Sequence, residues 1–280
     1  MNTVANRVVL PAAQSPITGA LAELERRQPQ LASVARLFLL AAIPCLIAMI
    51  VDSRTVNDVS GWIKPTKFFV SLALYFATLA WYFGYLPQTA QRSYAGRFVI
   101  WAAIIAGTLE MTWMVAAATS GVPAHFNREG LWATAYSLAG VGAVTLMIAV
   151  LVQGVQLARD RVVRIAPAFR LSLAIGAILS CAATVFIAMT LASGDGHWIG
   201  GARSDAGGLP LLGWSRTGGD LRVAHFWALH AHQFIPLAGW LVVRTAMRWQ
   251  RSAVLLFAAA YIGLIAFTFM QALQGQPFIP

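Results

Sequence analysis

Charge is what this chain has least of. Asp, Glu, Lys and Arg make up 11% of its 280 residues, against about 25% in soluble domains. Only ten residues are acidic, and only two of the 20 basic residues, Lys64 and Lys67, are lysines. Cysteine is nearly absent. Cys45 and Cys181 both lie inside apolar runs and in no metal-type spacing, so they read as inert buried thiols. Apolar residues fill the vacated share at 59%. A soluble fold is excluded, and the bilayer becomes the solvent to reason with. The Ala-rich, Lys-poor composition points to a GC-rich bacterial genome and hence to a bacterial inner membrane.

Apolar runs of about 20 residues are the unit of a helical membrane protein. Seven occur, at 31–51, 65–86, 97–119, 131–153, 171–193, 222–243 and 252–273. The fold class expected is an all-α bundle of seven transmembrane helices. The first 30 residues are polar and proline-containing, too long for a signal-peptide n-region and followed by no small-residue cleavage site. They are expected to form a cytoplasmic tail, with residues 31–280 as the membrane domain. The connections on one side carry Arg7, Arg26, Arg27, Arg36, Arg92, Arg97, Arg159, Arg161, Arg164, Arg170, Arg244, Arg248 and Arg251. The other side holds Arg54, Lys64, Lys67, Arg128, Arg203, Arg216 and Arg222. The richer side is cytoplasmic by the positive-inside rule. The N-terminus is then inside and the C-terminus outside. The net charge of +10 follows from this topology and calls for no nucleic acid. The longest connection, 194–221, is external and Gly-rich, with Trp198 and Trp214 as interfacial anchors. Its GDGHWIGG has neither the preceding strand nor the following helix of a phosphate loop.

Polar residues gather toward the outer side. Segment GDLRVAHFWALHAHQF supplies Asp220, Arg222, His225, His230, His232 and Gln233. On a helical wheel Arg222, His225, His230, His232 and Gln233 cover about 160° of arc, which should face the bundle while Val223, Ala224, Trp227, Ala228, Ala231 and Phe234 face lipid. Pro236 lacks an N–H, so the carbonyl of His232 should be left as a free acceptor. GTLEMTW places Glu110 about 14 Å from the outer end of its span, with Trp113 nearby. A carboxylate at that depth is costly unless it is paired or protonated. His232 reaches the same depth, so Glu110 is expected to pair with His232 or His230. GWIKPTKFF opens the second span with Lys64 and Lys67. Ser71, Tyr75, Thr78 and Tyr82 continue the same stripe. AHFNREG adds His125 and Asn127, which also suit an ordinary turn.

A metal or haem would have to use His225, His230, His232 and His125, with His197 as a further haem candidate. The spacing argues against it. His225 and His232 are about 10.5 Å apart along a helix, and His230 and His232 point about 160° apart. The HxxxH pair that puts two zinc ligands on one face is missing. Seven-helix zinc amidases use intramembrane histidines in a pattern this chain lacks.

GWIKPTKF, the Glu110 span, HFN, LLGWSRTGGDLR and AHFWALHAHQ resemble, in that order, segments of a family of uncharacterised bacterial polytopic membrane proteins. The resemblance covers nearly the whole length. It implies a common seven-span fold and carries no activity. The reading from the residues is a polar pocket, open outward and lined by the second, third and sixth spans. A proton-coupled carrier of a small solute or ion fits it best, with Glu110 and the histidines as relay. A metal- or haem-holding membrane enzyme and a structural partner are the alternatives.

Overall fold

The computed structural model describes residues 16–160, 162–163 and 165–280. Arg7, Arg161 and Arg164, counted above toward the cytoplasmic side, lie outside the described residues, as do tail residues 1–15. The described chain is almost wholly helical. In order it forms α1 (Pro16–Arg27), α2 (Pro29–Val51), the hairpin β1 (Thr55–Val56) and β2 (Val59–Ser60), α3 (Ile63–Phe83), a single turn α4 (Gln88–Gln91), α5 (Tyr94–Ser120), α6 (Gly130–Arg159), α7 (Pro167–Ser193), the paired β3 (Trp198–Ile199) and β4 (Gly219–Asp220), α8 (Leu221–Val242) and α9 (Gln250–Leu273). The seven expected runs each become a long helix, shifted by only a few residues.

Six of these, α2, α3, α5, α6, α7 and α9, are long and apolar enough to cross a membrane. The 22-residue α8 is long enough as well, but its histidines and Gln233 lower its hydropathy below that of the others. Part of the N-terminal tail is the helix α1, docked by Arg27, which stacks on Trp81 and Tyr85 and donates to the Trp81 carbonyl at 2.7 Å.

The boundaries follow local chemistry. Pro29 and Pro167 sit in first turns, where no N–H is missed. Ser93 caps α5 by accepting from the Gly96 N–H at 3.1 Å, and Gly121, at φ +69°, ends it. At the end of α6 the buried Arg170 donates to the carbonyls of Leu157, Asp160 and Val163. This cation therefore serves as a C-cap.

Helix alternation sorts the connections onto two ends, and contacts tie each end together. At one, Arg54 donates to the Thr119 carbonyl, Asn57 to Asp205, and Arg128 to the Gly194 carbonyl. At the other, Arg27 reaches Trp81 and Gln156 reaches Ser93. Two apolar cores result. The larger joins α2, α3, α5, α6 and the first half of α7. The smaller joins α7, α8 and α9 around Ile187, Ala228, Ile235 and Tyr261. Small residues set the spacing. An added Cβ on Gly107 would lie 2.7 Å from the Phe76 ring, and one on Gly176 only 2.9 Å from Cδ of Pro236.

Candidate functional site

Glu110 projects from the C-terminal half of α5 and is 6% exposed. Its Oε1 lies 3.7 Å from Nε2 of His125, within ion-pair reach and beyond hydrogen-bond length. Its Oε2 is buried without a partner. It faces Gly142 of α6, where an added Cβ would lie 3.9 Å away. His125 is held by its loop. The Trp113 indole donates to the Ala124 carbonyl at 3.0 Å and stacks on Trp132. The next residue, Phe126, sits at φ +63°, a conformation that costs a bulky side chain free energy and tends to occur at functional sites. The imidazole packs against Phe68 and Tyr136. Burial pushes its pKa well below the usual range, and Lys64 and His225 add to the shift. His125 Nδ1 and His225 Nδ1 are both buried without partners. Lys64, in the first turn of α3, acts electrostatically on Glu110 as well as His125. It has no hydrogen bond or ion pair among the described residues. Four groups from four different segments thus meet here.

The 194–220 connection lies across the N-terminal ends of α3 and α8. Asp220 caps α8 by accepting from the Arg222 N–H and also receives the Ser215 N–H, both at 3.0 Å. The Arg222 guanidinium bridges Asp220 at 2.7 Å and Asp205 at 2.8 Å, and donates to the Gly213 carbonyl. His197 lies 3.2 Å from Asp205, and Lys67 donates to the Leu212 carbonyl at 3.1 Å. Burial pushes the Asp205 carboxyl up. His197, Arg222 and Asn57 together outweigh it and hold the pKa at about 2. Burial likewise holds His197 below the usual imidazole range, only partly opposed by its bond to Asp205. Asp220, Arg222 and Lys67 therefore clamp this loop in place. Trp214 is a correction. Only 5% exposed, it is sandwiched with Phe226 and Phe278 under the loop, and does not anchor in the interface.

Four expectations for α8 also change. First, neither His230 nor His232 is in ion-pair contact with Glu110. Equal depth along two helices does not make their side chains point at each other. His232 turns toward α7 and α3. Its Nδ1 lies 2.8 Å from the Leu229 carbonyl and 3.3 Å from Ser180 Oγ, and its ring meets Tyr75 edge-on. Second, the His232 carbonyl is not free, because the Tyr82 hydroxyl donates to it at 2.9 Å. Third, Val223, Ala224, Ala228 and Ala231 are buried. Helix α8 has neighbours on both flanks, and its small residues let α7 and α9 approach. Phe234 is exposed as expected, and Leu237 and Leu241 continue its strip. Fourth, His230 and Gln233 hydrogen-bond one another, and Gln233 donates to Thr78 at 3.1 Å. Of the polar stripe of α3, Thr78 and Tyr82 bond α8, while the Tyr75 hydroxyl donates to the Leu146 carbonyl of α6.

Asn127 caps its own turn by accepting from the Glu129 N–H and belongs to no cluster. Among the described residues, no three His, Cys, Asp or Glu side chains converge as metal ligands. Helical spacing pointed to Glu110 and the α8 histidines. It held no signal for Asp205, which lies in an irregular loop, or for the roles of Ser180 and Tyr82. In comparisons with protein-family models, curated proteins and solved structures, none matches the chain. The several apolar helices are those of a multi-pass membrane protein, and the cluster around Glu110 has to be interpreted from its own chemistry.

Proposed function

We propose that the chain is a proton-coupled carrier of a small solute or ion in a bacterial inner membrane. In this reading it has seven spans, a cytoplasmic N-terminus, and its site toward the outer side. The seventh span is α8, long enough to cross and packed along both α7 and α9. The orientation rests on the distribution of cations. The observation that carries the function is a set of open valences. Glu110 Oε2 and His125 Nδ1 are buried without partners, Lys64 acts electrostatically on both groups, and His225, whose Nδ1 is also unpartnered, acts on His125. Buried polar atoms are ordinarily satisfied, and a purely structural polar core would pair them. A carboxyl group 3.7 Å from a neutral imidazole can exchange a proton with it through a small shift or one water.

The test uses proteoliposomes containing a pH-sensitive dye, an inward proton gradient, and a panel of carboxylates, amino acids, choline and sugars. One solute class should speed acidification of the lumen, and Glu110→Gln should abolish that acceleration. If no solute accelerates proton entry, the carrier reading is wrong.

A further inference from the structure

The charges around Glu110 can be paired off. Arg222 bridges Asp205 and Asp220, which leaves that group with one negative charge. Lys67 lies beside it, close enough for both carboxylates to act on it, and offsets that charge. Glu110 and Lys64 remain. Phe68, one helical turn beyond Lys64, packs on the His125 ring, and His125 lies 3.7 Å from Glu110, so the two charges share one region and influence each other without touching. With Glu110 ionised the set is neutral, three cations against three anions. The other titratable groups facing the set, His125 and Tyr136 across from Glu110, His225 on α8 and His197 in the loop, add no charge when neutral. A proton on Glu110 changes this. Lys64 is then a cation with no counter-charge, and neither lysine has a carboxylate within ion-pair distance to replace it. An uncompensated ammonium so little exposed to water is costly, and the least costly remedy is an anion beside it. The surroundings suit one. Trp62 caps α3 without a side-chain hydrogen bond, and the first turn of the helix, its positive end, carries Lys64. Two imidazole nitrogens are free to donate or accept.

We propose that this site takes a small carboxylate anion together with one proton. Lys64 is the counter-ion, the proton resides on the Glu110 carboxyl group, and the loaded site is electrically neutral. This rests on the carrier reading for its transport meaning and on the charge pattern alone for its binding meaning. The proton creates the need for the anion, so neither binds well without the other, and affinity for each rises with the other by the same factor.

The experiment is calorimetric titration of the full-length protein in lipid nanodiscs. The probes are acetate, lactate and benzoate, with choline and glycerol as controls, between pH 5 and 8. Proton uptake is taken from buffers of different ionisation enthalpy. At least one carboxylate should bind with uptake of about one proton. Above the pH where Glu110 gives up its proton, its affinity should fall about tenfold per pH unit, the slope of a single linked proton. Glu110→Gln, a permanently neutral mimic, should bind the same carboxylate without proton uptake and without pH dependence. Lys64→Gln should weaken binding at least tenfold, and Lys64→Arg should retain it. Monodisperse elution of each variant checks its fold. Wild-type affinity in Lys64→Gln, carboxylate binding by the wild type without proton uptake above the pH where Glu110 gives up its proton, or no binding by any carboxylate would each overturn the proposal. Proton flux driven by choline or a sugar would overturn it while leaving the carrier reading intact. Proton-linked carboxylate binding without flux in liposomes would sustain the anion site and remove the carrier.

Discussion

Replacing Tyr82 with Phe isolates one hydrogen bond at the α3–α8 seam. Pro236 gives the His232 carbonyl no helical donor, and the Tyr82 hydroxyl fills that place at 2.9 Å. Removing the hydroxyl leaves a buried acceptor short of its partner, a loss of about 1–3 kcal/mol in protein interiors. Interhelical hydrogen bonds in membranes average about 0.6 kcal/mol and reach about 1.7. The expected cost is therefore about 1 kcal/mol, toward the upper part of the membrane range, because no backbone N–H can substitute. Pro236→Ala restores such an N–H. In that background Tyr82→Phe should cost about 0.5 kcal/mol or less, a positive coupling that a double-mutant cycle reads directly. Reversible unfolding in mixed micelles, followed by tryptophan fluorescence, supplies the four stabilities. Tyr85→Phe is the control, since the Tyr85 hydroxyl makes no hydrogen bond among the described residues. Equal costs in both backgrounds would refute the claim that Tyr82 replaces the missing helical donor.

Other outcomes follow from the same geometry. Reporters fused after Gln91 and after Asp160 should read cytoplasmic and those after Asn57 and Gly208 external; a cytoplasmic signal at Gly208 would reverse the orientation. Gly176→Ala would place a methyl 2.9 Å from Pro236 Cδ and 3.0 Å from the Ala231 carbonyl, and should destabilise by about 1–3 kcal/mol in the same unfolding assay. Acid should loosen the 194–220 loop in two stages. His197 is held below the imidazole value of 6.5, so its contribution is full above that pH and declines as pH falls below it. Asp205 is depressed from 3.8 to about 2, so its contribution, about 2 kcal/mol at neutral pH, is lost as pH falls from about 4 through about 2. Hydrogen exchange of the loop, corrected for intrinsic rates, measures both stages, and flat protection from pH 7 to 5 would contradict the first.

The positions of the long helices were legible because hydrophobic length and positive charge are one-dimensional signals. Residue 110 and the histidines stood out because a charge or imidazole in an apolar run is conspicuous on any background. Which of them meet was not legible. Glu110 and His232 share a depth, yet the packing of α7 and α3 turns His232 away. His125, on a loop with no periodicity, becomes the partner of Glu110. The wheel of α8 assigned its alanines to lipid because a single helix has no way of announcing that it has neighbours on both sides. The loop clamp depends on Asp205 meeting Arg222 across an irregular stretch, where only the folded chain supplies the contact.

The modest hydropathy of α8 has a consequence for how the protein enters the membrane. In a seven-span arrangement this segment is the one least able to partition into lipid by itself, since its imidazoles, Gln233 and Arg222 would meet hydrocarbon unpaired. It reaches the bilayer after α7 and is joined by a short turn to the strongly apolar α9. Helices α8 and α9 should therefore leave the insertion machinery as a hairpin, with α9 supplying the lipophilicity that α8 lacks. The earlier helices would already be waiting with Thr78, Tyr82 and Ser180 as partners for its polar side. Truncation before α9 should then strand α8 outside the bilayer. The residues that make this helix chemically useful would be the same ones that make it dependent on its neighbours during biogenesis.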